Sequence, residues 1–273
     1  MKIQMLKKLL AIQSRSRHEQ PMVDWLVHYL RHNLAGVSVT VDEARNVSAV
    51  KGNARHAPCV AAHIDTVHAP REVTIVEKGT RLVGYDSKGK SCGIGADDKT
   101  GIYVCLSLLH KFDNLRAVFF AMEEINALGA KQADPEFFSG VGCVVEYDCP
   151  SRNMLSYTSG GERLFANNGE FIRKANPVLE KHGTTLWQEH PYTDVMALRR
   201  RFPISCLNLS SGYYNWHRST EFVSLPDVAV AVDLGSELIE TLGPVHYACP
   251  FPIRDDGPPL RAVGPLRLPE AKP

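Results

Sequence analysis

A chain of 273 residues can build one large core or two modest ones, and 44% hydrophobic with 22% charged content is ordinary for a globular protein. A formal net charge of +1, with no basic cluster beyond Arg199-Arg200-Arg201, excludes a strong field for nucleic acid or an anionic membrane. Seven cysteines, an odd number without CxxC spacing, exclude a disulfide framework and a cysteine zinc knuckle and fit reduced thiols in a cytoplasm. Met1 to Lys8 holds no apolar stretch of signal-peptide length. No run approaches the roughly 18 apolar residues of a spanning helix, so the protein is expected to stay in the cytoplasm and off membranes.

The first predicted element starts at Met22, where Met22, Trp25, Leu26, Tyr29 and Leu30 follow helical spacing and give one apolar face. Val37 to Val41 alternates as a half-buried strand. Pro58 to Ala62 is a continuous apolar run, the pattern of a strand covered on both faces, and it ends at His63-Ile64-Asp65. Period-2 geometry points His63 and Asp65 to the same side, so Asp65 is placed to orient a metal-binding imidazole. An isolated HxD is more often a His and an Asp meeting at a surface turn, so alone the motif is weak.

Gly95-Ala96-Asp97-Asp98-Lys99 then leads into a helix whose face carries Ile102, Cys105, Leu106 and Leu109. Its carboxylates suit either a cation or the capping of that helix. Arg116 to Met122 returns to a buried strand and runs into Glu123-Glu124, two adjacent carboxylates that repel unless a cation or proton intervenes. One of them can bind metal while the other serves as a general base; an exposed acidic turn is the alternative.

Val141 to Tyr147 reads as another strand, with Glu146 and Asp148 at its end. Pro203 to Leu209 is a later one, before a Gly212 to His217 loop that sets an imidazole beside Trp216. The last helix opens at Ser224 with Pro226 in its first turn and stops at Gly243. No repeat is visible. Strands alternating with helices predict an α/β fold, a mixed, mostly parallel sheet sandwiched by helices in three layers, with polar residues gathered beyond strand carboxyl ends. The expected unit is residues 1–246, followed by a Pro-rich tail, 247–273.

In order and content these motifs resemble the co-catalytic metallopeptidase clan of peptidase T, the carboxypeptidase G-type exopeptidases and the bacterial zinc aminopeptidases. The resemblance runs from Leu9–Ser14, similar to an L-x-x-I-x-S start, through Tyr192-Thr193-Asp194 and Arg201 to Ile204, to the final helix. It implies a zinc-exopeptidase catalytic domain with His63, Asp97, Glu124, Asp148 and His217 as ligands of two divalent ions, zinc first with cobalt or manganese as alternatives. It further implies Glu123 as base and Asp65 as orienting carboxylate, with Asp148 rather than Glu146 as the strand-end ligand.

Many members of the clan insert a lid domain before the T-D segment, but residues 149–193 are too few for one, so a catalytic domain without a lid is expected. The implied activity is amide hydrolysis of short peptides, most simply by an aminopeptidase. The alternatives are a carboxypeptidase or an N-acyl amino acid deacylase, using Arg199, Arg201 or Arg218 for a substrate carboxylate, and an inactive binding homologue.

Overall fold

The computed structural model describes residues 2–159, 162–190 and 193–250. Tyr192 of the T-D segment and residues 251–273 of the expected tail lie outside them.

Helices α1 (Ile3–Ala11) and α2 (Gln20–Asn33) lead into strands β1 (Val37–Val41), β2 (Val47–Lys51) and β3 (Ala57–His63). All seven residues of β3 are buried, as its unbroken apolar run predicts. Next come β4 (Val73–Lys78), β5 (Arg81–Asp86), β6 (Ser91–Cys92), α3 (Ala96–Lys111) and β7 (Leu115–Phe120). Short helices α4 (Leu128–Gln132) and α5 (Pro135–Phe138) precede β8 (Val141–Cys149), β9 (Met154–Ser159), β10 (Glu162–Arg163) and α6 (Glu170–Lys181). The remainder is β11 (Leu186–His190), α7 (Asp194–Arg199), β12 (Cys206–Ser210), β13 (Tyr213–Tyr214), β14 (Phe222–Ser224) and α8 (Leu225–Leu242).

The large sheet has the order β1-β2-β7-β3-β8-β12-β9-β10, with β11 pairing to β9. Its centre, β7-β3-β8-β12, is parallel throughout, so four carboxyl ends emerge along one edge. Antiparallel pairs flank that centre on both sides. Helices complete the three-layer α/β arrangement; α3 packs on β3 and β8 and against α1 and α8, and α4 packs on α7. The α3 residues Ile102, Cys105, Leu106 and Leu109 are fully buried, as their spacing predicts. Truncating any of the leucines to alanine costs about 2–5 kcal/mol.

Between β8 and α7 the described residues form β9, β10, α6 and β11; three of these are strands of the large sheet, and α6 packs on α8. That segment belongs to the same layer structure as the strands before and after it. Ser224 stands at the N-cap of α8, yet its hydroxyl makes no capping bond; Pro226 lies in the first turn, and Gly243, at φ +61°, ends the helix as expected.

A second, antiparallel sheet, β13-β14-β5-β4 with β6 on β5, was not legible in the sequence. It matters for the site. It joins the chain entering the Gly95–Asp98 turn, through β6, to the β13–β14 hairpin that carries His217.

Candidate metal centre

His63, the last residue of β3, is 1% exposed. Its Nδ1 donates to the backbone carbonyl of Asp65 at 3.0 Å, which fixes the ring and aims Nε2 into the site. Nε2 lies 3.0 Å from Asp97 Oδ1 and 3.4 Å from Asp148 Oδ1. The Asp65 carboxylate is farther, 3.5 Å from Nδ1. Its short bonds come instead from the Ser16 hydroxyl at 2.7 Å and the backbone N–H groups of Glu123 at 2.9 Å and Glu124 at 3.2 Å. Asp65 therefore anchors the Glu-Glu segment first and the imidazole second.

The Asp97-Asp98 pair divides the two roles open to it. Helical backbone angles break at both residues, and the peptide between them is cis. Asp97 turns to the site, with Oδ1 on His63 and Oδ2 3.3 Å from His217 Nε2. Asp98 turns inward and accepts from Gly101 N at 3.0 Å, a helix cap, and from His63 N at 3.3 Å. A side chain at Gly101 would collide with the Asp98 carboxylate and the Tyr147 carbonyl, so only glycine allows this packing.

After β7 the chain turns sharply, with Met122 at φ +57°, and presents the glutamates in different directions. Asn46 holds the turn, accepting from Ala121 N at 3.0 Å and donating to Gly129 O at 2.9 Å. Glu124 Oε1 meets His217 Nε2 at 2.8 Å. Glu123 is 5% exposed and feels the charges of His63, Asp148 and Asp194.

On β8, Asp148 reaches His63, whereas the Glu146 carboxyl accepts from the Thr193 hydroxyl. Asn208 on β12 ties the region together by accepting from Asp148 N at 2.9 Å and donating to Thr193 Oγ1 at 3.3 Å. Asp194 is wholly buried, and both its carboxyl oxygens are without a hydrogen bond among the described residues.

The side chains form two trios able to hold a cation, His63-Asp97-Asp148 and Asp97-Glu124-His217, with the facing donor atoms of each within 4.8 Å of one another. Asp97 belongs to both. Burial raises Glu123 and Asp98 well above the carboxylate range and takes Glu146 to about 8, with the Asp148 charge adding to each. Burial also works against ionised Asp97, but bonds from His217 and His63 hold it below its ordinary value. The imidazoles move up: His217 reaches about 10 through its bonds to Asp97 and Glu124, and His63 rises through Asp148 although burial opposes it. Carboxylates crowded about two inward-facing imidazoles, with protons filling in for positive charge, are a donor set that fits divalent cations.

Sequence reasoning missed Asn208, whose signal is a lone amide in an apolar strand, while the capping role it offered for the Asp97-Asp98 pair falls to Asp98. It also missed Glu221, a single acid four residues beyond His217.

No family model matches the sequence, and no curated relative matches it. Solved structures do. The fold is similar to that of aminopeptidase PepT from Bacillus cereus, with TM-score 0.75 and 14% identity over 88% of this chain and 97% of that one. A tripeptidase from Staphylococcus aureus superposes with TM-score 0.69 and 13% identity over 88% and 97%. The aminopeptidase APDkam598 from Desulfurococcus kamchatkensis gives 0.64 and 15% over 87% and 94%. At these identities the likeness establishes the fold.

Proposed function

We propose that the protein is a metal-dependent hydrolase that cleaves amide bonds of short peptides as an aminopeptidase. The observation that carries this reading is the pair of His-carboxylate trios sharing Asp97 at the carboxyl edge of the parallel strands. His63, Asp97 and Asp148 would hold one ion and Asp97, Glu124 and His217 the other, zinc first, with cobalt or manganese as alternatives. Ions held there would supply Lewis acidity to the scissile carbonyl and bring the pKa of the attacking water from about 15.7 toward about 7.

Glu123 belongs to neither trio, and its buried, raised carboxyl suits taking a proton from water and passing it to the leaving amine. Asp65 holds that glutamate's backbone in place and supports the His63 ring. Two of the three arginines considered for a substrate carboxylate are engaged with backbone carbonyls, Arg199 with Phe202 and Cys249 and Arg201 with Ala130, which favours an amino-terminal over a carboxy-terminal specificity. Seven buried free thiols support a reducing, cytoplasmic setting, and no helix among the described residues is long and apolar enough to cross a membrane.

The test is a peptide panel with free and blocked N-termini, assayed with zinc-, cobalt- or manganese-loaded protein. Cleavage confined to free amines is expected. Cleavage of blocked substrates instead would move the assignment to a deacylase or carboxypeptidase, and metal uptake without cleavage would leave a binding protein.

A further inference from the structure

Glu221 is buried to 1% exposure, lies outside both trios, and has a carboxylate that collects four N–H donors. Oε2 accepts from Ile94 N at 2.7 Å, Gly95 N at 2.8 Å and His68 Nε2 at 3.0 Å; Oε1 accepts from Asp97 N at 3.3 Å. Three of the four are backbone groups of the turn that delivers Asp97. In that turn they point inward, where donors without an acceptor would be left unpaired and destabilising. The fourth is admitted by Gly93, because a side chain there would collide with the His68 ring.

The acceptor sits on the β13–β14 hairpin, four residues after His217. Asn215 and His217 both adopt left-handed backbone angles, φ +54° and +61°, and His217 is 42% exposed, so little packing holds the imidazole itself. The second trio draws Asp97 from one segment and His217 from the other. The Glu221 carboxylate bonds to the first segment while belonging covalently to the second.

We propose that Glu221 is a positioning residue that docks the His217 hairpin onto the Asp97 turn and thereby preassembles the Asp97-Glu124-His217 site for its ion. The inference rests on the paired-metal reading above. It separates the two sites, because the His63-Asp97-Asp148 donors stand on strand ends and on the turn, none of them on the hairpin. Loss of the clamp loosens one ligand of one ion, His217, while Asp97 keeps its contact with His63.

The experiment is calorimetric titration of the metal-stripped full chain with Zn2+, repeated with Co2+ while its visible absorption is followed, for wild type, E221Q and H68A. Gln keeps the size and one acceptor oxygen but turns an N–H group toward N–H donors. In E221Q the weaker ion should bind about 10- to 100-fold less tightly, while the tighter one changes less than about threefold. The Co2+ bands of the second site should weaken in step. H68A removes one of four donors and should shift the same ion by a smaller factor; it carries the test if E221Q does not fold. A purely structural role would lower the melting temperature and leave both affinities unchanged. That outcome, or an equal weakening of both ions, overturns this inference alone; wild type binding fewer than two ions overturns the paired-site reading and the inference with it.

Discussion

The two trios share Asp97 but are built in different ways. His63 and Asp148 stand at the ends of central parallel strands and are 1% and 4% exposed; His63 pairs in register with Phe120 of β7, and the Asp148 N–H donates to Asn208 on β12. His217 stands on a hairpin of the smaller sheet, 42% exposed, with Nε2 contacts to Glu124 and Asp97 and the Glu221 anchor on the same hairpin. Strand ends supply rigid positions at no extra cost because the sheet needs them anyway, whereas a loop ligand has to be held by bonds of its own. The expected consequence is a tight, sheet-borne ion and a weaker, loop-borne one.

The largest effect expected is at the seam between them, where Glu123 faces the first trio and Glu124 completes the second. E123Q should lower kcat by about 10²- to 10⁴-fold with both ions retained. E124Q should instead lose the loop-borne ion. Metal analysis beside turnover decides this; an E123Q protein that turns over normally, or one that loses an ion, breaks the division of labour between the neighbours.

The histidines should differ next. In metal-stripped protein H63A leaves buried Asp97 and Asp148 without their shared partner and should cost about 3–5 kcal/mol. H217A removes a half-exposed, solvent-screened contact and should cost under about 1 kcal/mol. Urea denaturation of both variants measures the gap, and equal losses would show that the loop is as firmly built as the strands. Asp65 lies on the sheet side and holds the N–H groups of both glutamates. D65N should destabilise by about 1–3 kcal/mol and lower activity about 10- to 100-fold without changing which ion binds first.

The same contrast decides what could be read in advance. Strand ends were legible because the apolar runs of β3, β7 and β8 mark where strands stop, which sets His63, the Glu pair and the Glu146-Tyr147-Asp148 segment at one edge. The choice of Asp148 over Glu146 came from the family resemblance and not from position. The small sheet was not legible, because β4 and β5 are half-exposed and carry mixed polar and apolar residues with no unbroken apolar run. Without that sheet nothing in Arg218 to Glu221 suggests that a carboxylate there would meet Ile94, more than a hundred residues away in the chain. The bonding of Asp65 was hidden for another reason. Alternation predicts which side a residue faces, and Asp65 does share a side with His63, but whether its oxygens go to a ring or to two N–H groups depends on how β7 turns at Met122.

The smallest expected effect is thermodynamic and concerns protons. Without a cation, bonds from His217 to Asp97 and Glu124 raise its pKa from 6.5 to about 10, so at pH 7.5 the ring holds a proton on the nitrogen an ion would take. That pairing stabilises the cation-free fold fully below pH 6.5 and is lost as pH rises through about 10. Metal loading has the opposite slope, since each ion must displace what the site has bound. Titration with Zn2+ at pH 7.5 in two buffers of different ionisation enthalpy should therefore show about one proton released for the loop-borne ion. Between pH 7 and 9 its apparent affinity should climb about tenfold per unit and level off as the ring deprotonates. Buffer-independent heats would mean that His217 is already neutral, and the loop-borne site would then be preassembled electrostatically as well as by its anchor.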